Sequence, residues 1–426
     1  MVDPDDEALL DRLQRAAFGY FLRNANLRNG LVADTTREGA PSSIAVIGFA
    51  LSTYPVGVER GWIDRADAIT RTLATLRFLM SSDQSGAPDA TGYRGYYFHF
   101  LDMEAGKRVW LSELSLIDTA LLMAGVLTAA AYFTADAPAE TELRRLADAL
   151  YRRVDWRWAQ GEGSALMHGW KPECGFLNYG WEGYSEAILL YVLGLGSPTH
   201  PLTEESFRAW TVTYQWEHLY GHDFLYAGPL FIHQFSHAWI DFRGIQDDFM
   251  REKDCDYFEN SRRAVYVQRE YAIRNPHTFE GYAADCWGLS AGDGPSAEPR
   301  LVAGRRQAFY GYAARGVPYG PDDGTIAGAS TLSSVVFAPE IALPAVRSMC
   351  ARNSEARELV RAGGFNATLR EAGPDGWISE GLFGLDQGMI VLMIENCRTG
   401  LPWRLGRGNP CIRNGLRRAG FRGGWL

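Results

Sequence analysis

The sequence predicts an all-α fold, a toroid of helical hairpins carrying one small β-hairpin near residues 93–110. Three observations predict it. Apolar residues recur at three- and four-residue spacing in about a dozen segments, as in helices that bury one face. A change of period to alternation marks one stretch, Tyr93 to Trp110. No polar linker and no repeat of roughly 20 to 50 residues interrupts the pattern. Residues 1–426 therefore read as a single domain built around a central cleft.

Residues 5–25 place Leu9, Leu10, Leu13, Ala17 and Phe21 at helical spacing. Residues 42–54 open on Ser42 and Ser43 as cap candidates and continue through Ile44, Ile47, Gly48 and Leu51. Residues 64–80 start at Asp64 as an N-cap and align Ile69, Leu73, Leu76, Leu79 and Met80 on one stripe. YRGYYFHFLDMEAGKRVW then alternates, with Glu104-Ala-Gly-Lys107 at its tip. Helices resume over 115–134, 138–154, 183–195, 204–219, 232–243, 259–274, 331–337, 339–352 and 386–397.

Charge narrows the function. The 42 Lys+Arg against 51 Asp+Glu give a net charge of -9. That sign repels phosphate backbones and anionic lipid, so neither nucleic acid nor a membrane is expected as a partner. No window approaches about 18 consecutive apolar residues. The start, MVDPDDEALLDRL, has no apolar h-region, so the chain as written reads as cytoplasmic, and as periplasmic if an export signal was trimmed. The six cysteines are scattered with no CxxC pair, which suits free buried thiols. The 13 Trp, 20 Tyr and 21 Phe point elsewhere: rings beside carboxylates suit a sugar, whose C–H faces stack while its hydroxyls need hydrogen bonds.

In WLSELSLIDTALL, Ser115 and Asp118 form a capping pattern before an apolar run, which gives Asp118 a structural role in the first turn. Glu113 lies just ahead of the helix, without a basic residue at helical spacing, and is a cleft candidate. In GFLNYGWEGYSEAILLYVLGLGSPTHP, Glu182 and Glu186 are one helical turn apart, flanked by Tyr179, Trp181 and Tyr184, and open a helix apolar almost all round. Two carboxylates ringed by aromatics meet the needs of glycosidic-bond cleavage: one protonates the leaving oxygen, the other activates water or attacks the anomeric carbon. Crowding in an apolar site would keep one of them protonated near neutrality. His233 and His237 have a zinc-compatible spacing, but no Glu follows as in HExxH; His233, Gln234 and Asp241 read better as cleft-lining polar groups. Asp323 and Asp386 stand in Gly-bounded turns and are candidate substrate-binding acids, beside the ordinary explanation of such Asp residues as Asx turns and caps. Gly288-Leu-Ser290-Ala-Gly292 has the nucleophile-elbow spelling without its strand–turn–helix context, and there is no P-loop.

A set of longer motifs carries a resemblance: SSIAVIGFALSTYPVGVERGWI, YYFHFLD, SELSLIDTALLMAGVLTAAAYF, WEGYSEAILLYVLGLGSPTHP, HAWIDFRG, WGLSAGDGP, DGTIA and LDQGMIVLMIENCRTGL. Together, over about residues 10–420, they resemble the glycoamylase-like domain found in glycoside hydrolase family 144, whose members act on β-1,2-glucans, and in parts of cyclic β-1,2-glucan synthases. The resemblance implies an (α/α)6 toroid and an inverting glycoside hydrolase, with β-glucan or gluco-oligosaccharide as substrate and with no metal and no cofactor. It matches Glu182 to the general acid and Glu113, with Asp118 as a possible relay, to the base. Glu186 joins them as a cleft acid, with Tyr97, His99, Trp110, Trp181, Tyr184 and Trp287 as sugar contacts. Two alternatives stand beside hydrolysis: transfer of the chain to a sugar acceptor, and sugar binding without catalysis. The second is suggested by a departure, since GFNATLRE stands where the family usually carries GF-x-DAFN, without its Asp.

Overall fold

Ser115 ends a short strand and turns the chain into a helix, its hydroxyl accepting from the Asp118 amide at 3.2 Å. Chain reversals of this kind build the computed structural model, which describes residues 4–302, 304–351, 363–370 and 376–426. Its first helices are α1 (Pro4–Arg23), α2 (Ile44–Glu59), α3 (Arg65–Ser81), α4 (Leu116–Tyr132), α5 (Pro138–Arg153), α6 (Ile188–Gly196) and α7 (Glu204–Thr211). The later ones are α8 (Asp248–Glu252), α9 (Tyr257–Arg274), α10 (Gly328–Ser333), α11 (Pro339–Ala351), α12 (Gly384–Arg398), α13 (Leu401–Gly408) and α14 (Pro410–Arg418).

The helices form an α/α toroid. Its inner ring runs α2, α4, α6, a pair of 3-10 turns (Leu230–His233 and Phe235–Ala238), α10 and α12, and closes back on α2. Three of the inner helices, α2, α4 and α6, are apolar nearly all round: every residue of α6 is buried, as is nearly all of α2. Outer helices cover them, with α1 on α12 and α2, α3 against α5, and α11 on α10. Between α6 and the 3-10 turns the ring is joined by Ser236 Oγ donating to the Glu186 carbonyl at 2.9 Å. Gln234 Nε2 ties those turns to α10 by donating to Ser330 O at 2.7 Å and Ser334 Oγ at 3.0 Å.

The α2–α4 seam depends on glycine. A Cβ at Gly125 would lie 2.1 Å from the Gly48 carbonyl oxygen, and one at Gly48 would lie 2.3 Å from the Leu121 carbonyl oxygen. Neither backbone atom can yield without parting the helices. Gly125→Ala is therefore expected to destabilise the fold by about 1–3 kcal/mol, read as a lower denaturation midpoint. Gly408→Ala, where nothing lies within 4 Å, is the neutral control.

Several helices start or stop away from their expected positions. The segment expected as helix over 204–219 ends at Thr211, and Trp216–Leu219 pairs with His222–Leu225 as a hairpin. Its tip, Tyr220-Gly221, has φ of 50° and 85°, the two positive values that a tight hairpin turn requires. The helix expected over 183–195 begins only at Ile188. The expected helix at 232–243 is the pair of 3-10 turns, interrupted at Gln234, and α13 and α14 went unforeseen. Asp64 precedes α3 but makes no side-chain cap bond. The expected hairpin near 93–110 reverses at Asp102–Lys107, yet its main pairing is to other segments. Tyr96–Phe98 lies between Gly92–Tyr93 and Leu114–Ser115 in a five-stranded antiparallel sheet completed by Gly169–Lys171 and Gly175–Phe176. That sheet delivers His99, Glu113 and His168 to one end of the ring. No described helix is long and apolar enough to cross a membrane.

Candidate active site

At that end of the ring a cleft of about 350 Å³ opens among residues from the sheet and the starts of α4, α6 and α12. Its carboxylates are Glu113, Asp118, Glu186 and Asp386. Helix N-termini offer unpaired amides and a partial positive charge, so acids are well placed there. The walls are apolar: Trp181, Phe231, Phe235, Tyr312, Phe383 and Met389.

His99 organises one side. Its Nδ1 lies 2.8 Å from Glu113 Oε1 and its Nε2 lies 3.3 Å from Asp118 Oδ2. Burial would push the imidazole pKa down, but Asp118, Glu113 and Asp34 together raise it to about 9, so His99 is a cation at neutral pH. Burial likewise works against ionisation of Glu113, but the hydrogen bond from His99 and its charge hold that carboxyl below its usual range. Ser115 Oγ donates to Asp118 Oδ2 at 2.6 Å. The ligand atoms of His99, Glu113 and Asp118 lie within 4.8 Å of one another, as in a metal site. Here each imidazole nitrogen already faces a carboxylate, so the imidazolium itself occupies the position a cation would take.

Glu186 and Asp386 are tuned the other way. Burial, with Asp118's charge behind it, raises the Glu186 carboxyl to about 7. Burial and the charge of Asp34 raise Asp386 to about 7, and Asp34 itself, buried beside the cleft, is raised to about 6. Glu186 precedes α6 and Asp386 sits in the first turn of α12, three places apart in a ring of six inner elements and so on facing sides of the cleft.

The structure thus brings together His99, Glu113, Asp118, Trp181, Glu186, Gln234 and Asp386 from the residues singled out in the sequence. It leaves others outside. Glu182 is exposed and does not line the cleft; because α6 starts at Ile188, the shared helical face expected of Glu182 and Glu186 does not form. Tyr97 and Trp287 are fully buried in the core, Tyr97 donating its hydroxyl to Leu79 O at 3.3 Å and accepting from Arg153. Tyr184 packs among Tyr214, His233 and Tyr257. His233 is buried against the Ala227 carbonyl at 3.1 Å. Asp241 is buried in ion pairs with Arg243, at 2.8 Å, and Arg407. Asp323 is buried against Arg315 at 2.7 Å. Trp110 stands at the surface, 70% exposed. The departure at GFNATLRE also lies off the cleft: Asn366 is buried and holds Asp323 O at 2.9 Å and Thr325 Oγ1 at 3.0 Å, and Glu371 falls outside the described residues. Sequence reasoning missed Asp34, His168 and Tyr312. None belongs to a periodic pattern; His168 stands next to Gly169 at a strand start, and Asp34 and Tyr312 carry no local signal.

Residues 178–410 match the family described as "Putative glucoamylase". A solved Bacteroides uniformis structure with the same description is 29% identical, covers 100% of both chains and superposes with a TM-score of 0.87. The Chitinophaga pinensis endo-β-1,2-glucanase, solved with sophorotriose and glucose, is 25% identical over 100% of both chains with a TM-score of 0.84. A curated Parabacteroides distasonis protein, an exo β-1,2-glucooligosaccharide sophorohydrolase acting at the non-reducing end, is 26% identical over 97% of this chain. The chain spans 58% of that relative's length.

Proposed function

Since the chain belongs to this glucoamylase family, we propose that its cleft hydrolyses β-1,2-linked glucan or gluco-oligosaccharides, with Glu186 as general acid and Asp386 as the base that activates water. The observation that carries the reading is the placement of two half-buried carboxylates, Glu186 ahead of α6 and Asp386 in the first turn of α12, in the lining of one aromatic-walled cleft, where burial pushes both carboxyls up to about 7. The similarity to enzymes of β-1,2-glucan supplies the linkage.

The chemistry follows from the tuning. Protonated Glu186 gives its proton to the leaving glycosidic oxygen as the bond to the anomeric carbon lengthens. Ionised Asp386 takes a proton from a water that attacks that carbon from the opposite face. Glu113 and Asp118 are engaged by the His99 imidazolium, which leaves them less available as bases. Their role is electrostatic: Asp118's charge favours the protonated form of Glu186, and His99 limits how much negative charge the cleft accumulates. Trp181, Phe231, Tyr312 and Phe383 present faces to the C–H surfaces of the sugar. Glu182, exposed beyond the cleft, has no part in this scheme.

The test is incubation of the purified protein with β-1,2-glucan and with sophoro-oligosaccharides of defined length, following product size by chromatography and product anomer by NMR. Shorter β-1,2 products with inverted anomeric configuration are expected. Undegraded substrate after prolonged incubation overturns the activity, and a retained configuration overturns the role of Asp386.

A further inference from the structure

Two short ladders of aromatic rings lead from the cleft to solvent, one on each side of Glu113. In the first, His99 lines the cleft and stacks on Phe100 with centroids 4.0 Å apart, and Phe100 meets Trp110 at 5.1 Å. In the second, Trp181 and His168 line the cleft, stacked at 3.8 Å, and His168 meets Tyr179 at 4.8 Å. Each ladder ends in a large exposed ring: Trp110 at 70% and Tyr179 at 57%. Glu113 lies between them, its backbone carbonyl accepting from His99 N at 2.9 Å and its Cγ only 3.0 Å from where a Cβ at Gly169, next to His168, would be.

Each of these rings packs on one neighbour, Trp110 on Phe100 and Tyr179 on His168, and leaves most of its surface in solvent. Trp110 holds φ of 57° and its neighbour Leu111 holds 50°, conformations that side chains seldom adopt. That turn places the indole against Phe100 with most of its surface in water. A flat aromatic face beside a sugar cleft suits stacking against a pyranose ring.

We propose that Trp110 and Tyr179 are outlying sugar platforms, each holding a glucosyl unit beyond those bound in the cleft, so that the site selects for chains longer than the cleft itself holds. The proposal rests on the functional reading above and names the substrate length for that site. Binding energy from such remote units reaches the reacting bond only if the chain is long enough to touch both.

The experiment compares kcat/KM across sophoro-oligosaccharides of increasing length and β-1,2-glucan for the parent protein, Trp110→Ala, Tyr179→Ala and Trp110→Phe. The parent is expected to gain efficiency with length. The two alanine variants should lose about ten-fold on the longest substrates and little on the shortest, while Trp110→Phe keeps most of the gain. Both rings are exposed, so circular dichroism and Tm should stay at parent values. Cleavage with an unaltered length profile in both alanine variants overturns the platforms alone. Failure of the parent to cleave any β-1,2-linked substrate overturns the functional reading, and the platforms with it.

Discussion

Glu186→Gln is expected to lower kcat on β-1,2-gluco-oligosaccharides by about 10³-fold or more while leaving the fold intact. The amide keeps the shape of the carboxylic acid but carries no transferable proton. A second readout separates lost chemistry from lost structure. Burial raises the Glu186 pKa above its unfolded value, to about 7, so the folded state favours the protonated carboxyl. That preference supports the fold fully below the unfolded pKa and is lost as pH rises through about 7. At pH 8 the parent must hold an unfavourable buried charge that the glutamine lacks. The variant should therefore melt a few degrees higher than the parent at pH 8 and at the same temperature near pH 4. A variant that melts lower at both pH values points to structural damage, and near-normal turnover rules out Glu186 as the acid. Glu182→Gln is the paired control; its carboxylate is exposed and its turnover should stay close to the parent's.

The contrast between those two glutamates shows where sequence reasoning reached its limit. The all-α fold was legible because α2, α4 and α6 are apolar on nearly every face and outer helices such as α1 and α5 on a single stripe. Ser115 and Asp118 were legible because a capping pattern is local, and the structure holds its first bond, Asp118 N donating to Ser115 Oγ, while the Asp118 carboxylate accepts from the Ser115 hydroxyl. Which of Glu182 and Glu186 faces inward is not local. It depends on α6 starting at Ile188, and a turn ahead of an apolar helix has no residue code as definite as a cap. The aromatics posed a related problem. Tyr97 and Trp110 belong to one alternating stretch, yet Tyr97 faces the core under Arg153 while Trp110 stands in solvent beyond the reversal at Asp102–Lys107. Alternation fixes which residues share a face, not which face is the cleft. Asp34 and Asp386 meet because the loop ahead of α2 pairs with the start of α12, Gly384 N donating to Asp34 O at 2.8 Å, a contact across most of the chain length.

That meeting sets the second large effect. Asp386→Asn is expected to lower kcat by about 10³-fold, since an amide cannot take the proton of the attacking water. In the parent, the productive state has Asp386 ionised and Glu186 protonated. Activity should rise as Asp386 loses its proton and fall as Glu186 loses its own, and both pKa values stand at about 7. The kcat/KM profile should therefore be a narrow bell centred near pH 7, against the broad plateau of an enzyme whose acid and base are well separated. The acid limb should move with Asp34. Its charge is one of the two influences that raise Asp386, so Asp34→Asn should lower the Asp386 pKa and shift the acid limb to lower pH, leaving the alkaline limb in place. A profile whose acid limb ignores Asp34 would transfer the base role away from Asp386, and the His99-bound pair of Glu113 and Asp118 would be the next carboxylates to test.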